Sequence, residues 1–302
     1  MNPPLPPCGG SEIMGDGLLS RLGTDLPIRL YMNEPGRYLA GNGPIAMWFH
    51  QDVNQPVVQW CRNGEIRDKV RWFIFVSKWQ RDRYLGAFGI DPLKSIVLEN
   101  ATECPSGPIV KSNPKPICAY ASAPYRGLGT LISAWDFLRP YAELHIFSSM
   151  RLHGDDGKDE EEFLPLYEKA KSLPDVHYRG VVPHDELADF WARCDYLTFP
   201  STFAECGSMT VIEAQAHGVR VVASNLGSIP DQTHGFARLY EFTPDGPTHC
   251  FRFGHAMAEE LRNPWGGRPG MAFAQQLHFA THYDWSVRKA QWRKFLSGVS
   301  NG

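Results

Sequence analysis

Residues 200–224 read "PSTFAECGSMTVIEAQAHGVRVVAS", and this stretch decides how the chain folds. Just before it, "YLTF" is a short aromatic and β-branched run that reads as a buried strand. "PSTFAECGS" is small and polar and reads as a loop, and "MTVIEAQAH" as a helix of about two and a half turns, with Gly218 as its stop. "VRVVAS" is then the next strand. Strand, loop, helix, stop and strand in succession are the repeating unit of a parallel sheet covered by helices.

Glu205 falls in the loop and Glu213 inside the helix, eight positions later. Between them, the amides of Gly207, Ser208, Met209 and Thr210 open the helix without intrahelical acceptors, which makes a donor patch for phosphate. A carboxylate on each side of such a patch suits a ligand with hydroxyls at both ends and phosphates between, as in a sugar nucleotide. The plainer alternative makes Glu205 a partner of the helix dipole and Glu213 a solvated helix residue. The ordered strand, turn, helix and glycine stop around the pair favour the ligand.

The same rhythm extends through the chain. "PIRLYM" (27–32), "PIAMWFH" (44–50), "RWFIFVS" (71–77) and "SIVLEN" (95–100) read as strands, followed by a proline-bearing polar stretch, "ATECPSGPIVKSNPKP" (101–116), of linker character. Strand signals resume with "ICAYAS" (117–122), "AELHIF" (142–147), "VHYRG" (176–180), "DYLTFP" (195–200), "VRVVAS" (219–224) and "ARLYE" (237–241). The expectation is two doubly wound, Rossmann-like parallel-sheet domains facing a cleft: 1–103, a linker at 104–116, 117–282, and a terminal helix at 283–302 that returns to the first domain. The first domain is short, since a helix begins near Ser11 while "MNPPLPP" ahead of it cannot supply ladder donors. From about Pro264 onward the sequence reads as one or two helices with Trp285, Trp292 and Phe295 on an apolar side.

Length, charge and cysteines narrow the class. The chain has 302 residues, 43% apolar and 21% charged, and a formal charge of -3, which is globular and gives no electrostatic case for nucleic acid. Seven scattered cysteines without a C-x-x-C pair point to a reducing compartment. No run nears the ~18 apolar residues of a spanning helix, and "MNPPLPPCGG" lacks signal-peptide regions. The expectation is a cytoplasmic protein. "KDEEEF" (158–163) reads as a solvated helix face after a "GDDGKD" loop. Arg288, Lys289, Arg293 and Lys294 beside Trp285 and Trp292 offer contact with an anionic membrane, or packing on the first domain.

These residues resemble a known family. The E-x7-E spacing of Glu205 and Glu213 is similar to the signature of retaining glycosyltransferases of the GT-B fold, family 4. "CGGSE" (8–12), "FVSKWQRD" (75–82), "IVLENATE" (96–103), "YASAPYRGLGTLISAW" (120–135) and "FATHYDWSVRKAQWRKFL" resemble further family segments in the same order. The resemblance implies that Glu205 binds hydroxyls of the transferred sugar, Glu213 the ribose, and Arg126 the diphosphate. It also implies that Gly9 and Gly10 let a backbone loop approach the phosphates, that His50 faces the sugar or acceptor, and that the base is read by backbone near Gly180 to Pro183, Val182 included.

Family members often carry a basic residue about five positions before Arg126, where this chain has Ala121 and Ser122, so the clamp rests more heavily on Arg126. Neither a D-x-D triplet, H-E-x-x-H nor a P-loop occurs, and no metal or other cofactor is expected. The activity implied is retaining transfer from a nucleotide-diphosphate sugar to a glycan, lipid or small-molecule acceptor, with leaving phosphate and arriving hydroxyl on one face. Two alternatives stand beside it. A nucleotide-sugar epimerase would leave the altered sugar on the nucleotide, and a non-catalytic binder would turn nothing over.

Overall fold

A computed structural model describes residues 9–35, 42–153, 157, 159–263 and 270–300. The expected proline-rich start at residues 1–7, the "GDDG" part of the loop before "KDEEEF" and the Pro264 helix start lie outside the described residues or at their margin.

All ten apolar runs are strands, in two separate parallel sheets. The first has the order β1-β2-β3-β4, with β1 Arg29–Met32, β2 Ile45–Phe49, β3 Val70–Phe75 and β4 Ser95–Val97. Every residue of β2 is buried, which is what a strand covered on both faces requires and why it reads as a continuous apolar run. One face is covered by α1 (Gly10–Leu22), through Met14 and Leu18 packed with Ala46, Trp48 and Ile74. The other takes α2 (Lys78–Phe88), whose Tyr84 and Phe88 meet Phe49, Phe73 and Phe75.

The second sheet runs β10-β9-β8-β5-β6-β7, with β5 Ile117–Ala121, β6 Glu143–Phe147, β7 Val176–Tyr178, β8 Tyr196–Phe199, β9 Arg220–Ser224 and β10 Arg238–Tyr240. Side-chain alternation along β5 divides its neighbours. Cys118 and Tyr120 enter the core with α3 (Leu128–Leu138) and α7 (Gly246–Arg262), while Ala119 and Ala121 face the core with α5 (His184–Trp191) and α6 (Met209–Ala216). α4 (Leu164–Ser172) closes the β6–β7 connection. β5 pairs with β6 on one side and β8 on the other. The strand order therefore reverses there, and a crevice opens beyond the carboxyl ends of β5 and β8.

α8 (Met271–Tyr283) packs on α6, and α9 (Trp285–Ser300) leaves the second domain for the first. Trp292 and Leu296 are buried in the first domain's core, with the Trp292 ring edge-on to Trp48 at 5.0 Å. The hinge is tied at the backbone, where the Thr102 amide donates to the Tyr283 carbonyl and the Trp285 amide to the Thr102 carbonyl.

One surface reading is decided for packing on the first domain, and another changes. Arg288 is buried, within reach of Glu99, Gln291 and the His282 carbonyl, and Trp285 and Trp292 are buried with it. These residues cannot face a membrane, because their rings and charge are spent inside the molecule. Asp159 is also not a solvated charge, since it accepts from the Met150 amide, the Tyr167 hydroxyl and Ser149. Among the described residues no helix is long and apolar enough to cross a membrane.

Candidate active site

The crevice at the strand-order reversal receives the loops after β5 and β8. After β5 the chain makes a tight 3₁₀ turn, Pro124–Arg126, and enters α3 at Gly127. Gly127 has φ +118° and lies so close to the β8 loop that a Cβ would stand 2.0 Å from the Pro200 carbonyl oxygen. Only glycine allows this turn to fold against the end of β8.

That approach brings Arg126 and Glu205 together across the sheet. Arg126 Nη1 donates to both carboxylate oxygens of Glu205, each at 3.0 Å. The guanidinium also lies over the Phe203 ring at 4.7 Å. Glu205 is 4% exposed, and burial raises its pKa while Arg126 pulls it back down. Burial likewise works against the Arg126 charge, but Glu205 outweighs it and the guanidinium's pKa is raised.

Gly207, next in the loop, touches the first domain. Its carbonyl accepts from Asn100 Nδ2 at 2.9 Å, and a Cβ on it would stand 2.8 Å from Val76 Cγ2. The β8 loop is therefore fitted against the end of β3 as well as β5. Cys206 joins the first domain's apolar core beside Met14, Trp48 and Val76.

The donor patch at α6 is narrower than the sequence reading held. The Ser208 amide donates to Gln232 Oε1 at 2.9 Å and is not open to a ligand. Gln232 is buried on the short turn Ile229–Gln232, distant in sequence, and its amide fits a donor that a helix start leaves unpaired. The Gly207, Met209 and Thr210 amides take no partner among the described residues, and Thr210 Oγ1 donates to the Ala121 carbonyl at 2.9 Å. Gly9 and Gly10 stand at the start of α1, and a Cβ on Gly10 would come 3.0 Å from Met209 Cγ. The glycine turn of the first domain thus abuts the first residue of α6.

Glu213 is buried on α6, facing α5, and its Oε1 meets His184 Nε2 at 2.8 Å. The His184 pKa is raised by that hydrogen bond. Val182, just before α5, is half-buried against the core shared by Phe190 and Val221.

On the first domain, His50 follows the last residue of β2. Its amide donates to Asn33 Oδ1 at 2.7 Å, its ring lies 4.6 Å from Trp48, and its Nε2 is buried with no partner among the described residues. Burial pushes its pKa down to about 3, so the ring is neutral. Asn33 holds φ +60°, a conformation asparagine tolerates better than most side chains. Two residues on, buried Asp52 is gripped by Arg83 through Nε at 2.7 Å and Nη2 at 2.9 Å.

A separate group, Glu143, His145 and His177, brings three potential metal-ligand atoms within 4.8 Å of one another on β6 and β7. Arg179 reaches His145 Nδ1 at 3.3 Å, and Nε2 turns to Glu143 at 3.4 Å, so both ring nitrogens are engaged by the protein.

Gly127, Gln232, Asn100 and His184 are the site residues that the sequence reading missed. A glycine directly after Arg126 in "YRGLG" is the one local signal among them. The others act through contacts that only the fold creates.

Comparison with known proteins places these observations. Residues 116–246 match the family model described as glycosyl transferases group 1. No curated protein matches the chain. Among solved structures, the chain is similar to Anabaena HepE in complex with UDP, at 16% identity over 85% of this chain and 72% of that one, TM-score 0.67. It is similar to a sucrose-phosphate synthase from Thermosynechococcus elongatus at 15% identity, over 96% and 78% of the two chains, TM-score 0.71. A glycosyltransferase from Rickettsia africae aligns at 14% identity over 99% and 84%, TM-score 0.68. The two parallel-sheet domains have the GT-B fold of these structures.

Proposed function

We propose that the protein is a glycosyltransferase that moves a sugar from a nucleoside-diphosphate sugar to an acceptor hydroxyl, with retention at the anomeric carbon. The observation that carries this reading is the buried Glu205 carboxylate joined by two 3.0 Å hydrogen bonds to Arg126, at the strand-order reversal and beside the start of α6. The match of residues 116–246 to glycosyl transferases group 1 supports it, as does the fold shared with a UDP-bound relative.

The parts then have separate tasks. Glu213 receives the ribose hydroxyls. The open Gly207, Met209 and Thr210 amides and the glycine turn at Gly9 and Gly10 receive the diphosphate, with Arg126 as its cation. Glu205 accepts from hydroxyls of the sugar, and the backbone around Val182 borders the base. His50, on the acceptor-side domain, is assigned to the sugar or acceptor; its ring is neutral and its Nε2 takes no partner among the described residues.

The bond from the anomeric carbon to the β-phosphate oxygen breaks, and its electron pair leaves with the diphosphate. The acceptor oxygen bonds to the same face of that carbon, and its proton passes to the departing phosphate oxygen. Arg126 and the α6 amides stabilise the charge that develops there, so turnover is expected to survive chelation of metal ions. Glu205 lies at the sugar end as a positioning carboxylate. The acceptor is a glycan, lipid or small molecule met by the first domain.

Mass spectrometry of the reaction mixture tests the reading. Transfer yields free nucleoside diphosphate and a glycosylated acceptor, with nucleotide release lost in Glu205→Ala and Arg126→Ala. An altered sugar still on the nucleotide would make the protein an epimerase, and equal turnover in both variants would refute the site.

A further inference from the structure

Glu213 is nearly sealed, yet its partner is a histidine at the surface. The carboxylate is 7% exposed and the His184 side chain 43%. His184 is the first residue of α5, immediately after the Gly180 to Pro183 loop, and it turns its Nε2 onto Glu213 Oε1 at 2.8 Å. A ring at a helix start gains nothing from the helix dipole when it carries a proton. The contact therefore answers to Glu213.

The geometry divides the carboxylate into two halves. Oε1 is held by His184, and Oε2 takes no partner among the described residues. A single carboxylate on one flexible side chain has rotational freedom that it must lose to meet two adjacent hydroxyls at once. A hydrogen bond to one oxygen fixes the plane of the group before the ligand arrives, which lowers the ordering cost of binding. α5 and α6 face the same sheet core, with Phe190, Trp191 and Val211 buried between them, so the histidine and the glutamate are carried on mutually rigid supports.

We infer that His184 is a positioning residue that presents the Glu213 carboxylate to the 2′- and 3′-hydroxyls of ribose, and so gives the site its preference for ribonucleotides over 2′-deoxyribonucleotides. The inference rests on the reading that Glu213 receives the ribose. His184 itself stays outside the reaction, and its effect is on nucleotide affinity, not on the bond-breaking step. Only the ring N–H that meets Oε1 is required. A side-chain amide of similar reach supplies the same donor, whereas a shorter amide does not span the gap.

The experiment is calorimetric titration of the full chain with UDP and 2′-deoxyuridine diphosphate, with the adenosine and guanosine pairs run alongside. Wild type is expected to bind one ribonucleoside diphosphate more tightly than its deoxy form. His184→Leu is expected to lower the ribonucleotide affinity about tenfold and the deoxy affinity much less, so that the ratio shrinks. His184→Asn, a milder change at an exposed helix start, is expected to behave like the leucine variant, and His184→Gln to restore the ratio.

A merely structural role would lower both affinities by the same factor and leave the ratio at its wild-type value, which would overturn the inference. So would failure of glutamine to restore it. Wild-type binding without any preference for ribose would remove the role of Glu213, and binding of no nucleoside diphosphate at all would defeat the proposed function itself.

Discussion

Under the proposed function Arg126 would meet two anions, the Glu205 carboxylate it holds and the diphosphate of the donor. Free nucleoside diphosphate carries more negative charge on its β-phosphate than a sugar-linked one, and brings no hydroxyls for Glu205 to accept from. A carboxylate that close to the shared cation should therefore disfavour product more than donor. Glu205→Gln is expected to bind nucleoside diphosphate more tightly than wild type while binding the sugar nucleotide more weakly, in the same calorimetric titration. Movement of both affinities in one direction would contradict it. Gly127 carries the other residue-scale prediction. With φ +118° and a Cβ that would stand 2.0 Å from the Pro200 carbonyl oxygen, Gly127→Ala combines backbone strain with a clash against main chain. It should cost about 1–3 kcal/mol or more in denaturant unfolding, and an unchanged midpoint would remove Gly127 as the cause of the Arg126–Glu205 approach.

At the scale of elements, the β8 loop is shaped by what it touches on three sides: Gly127 below, the Ile229–Gln232 turn behind and Asn100 across the domain boundary. Asn100→Ala would leave the Gly207 carbonyl without its partner, and a loss of about 1–3 kcal/mol in stability is expected, together with weaker nucleotide binding as the loop loosens. Stability lost with affinity unchanged would mean that the strut does not reach the site. The same loop shows what could be read from residue order. Its strand, helix and glycine stop were legible because local propensity and burial agree there, as they do in β2 and β9, where an apolar run is what a doubly covered strand must be. Glu205 and Glu213 stood out through the E-x7-E resemblance, and both prove buried, one in the β8 loop and one on α6. The Gln232 bond that closes the Ser208 amide was not, because its two ends are 24 residues apart and meet only when β9 is in place. Arg288 could be read two ways from residue order, towards a membrane or onto the first domain, and only Glu99 folded against it decides for the second.

At the scale of the whole molecule, two sheets are tied together by the β8 loop and by α9, whose Trp285 and Trp292 belong to the core of the first domain. Its histidines make stability depend on acidity. Burial lowers the pKa of His50 to about 3 and of His145 to about 4, and depresses His217, His234, His249 and His278 as well. An unfolded histidine titrates near ~6.5, so below that pH the unfolded chain binds protons that the folded one refuses. The stability these groups contribute is present above ~6.5 and is lost as pH falls toward their folded values. His184 works the other way, because Glu213 raises its pKa, and its contribution fades as pH rises through the folded value. Six groups oppose one, and the melting temperature should fall steadily from pH 7 to pH 5. A flat profile would show that the buried rings are reached by water.

The proposed function requires one ligand, a nucleotide sugar, to span the crevice between Glu213 and Glu205 past Arg126. The direct measurement is the thermal shift of wild type and Arg126→Ala with UDP, GDP, ADP and their sugars, since a ligand that binds only the folded state raises its melting temperature. At least one nucleotide sugar is expected to stabilise the wild type, and Arg126→Ala to abolish the shift. No response to any nucleotide, or an equal response in the variant, would contradict it.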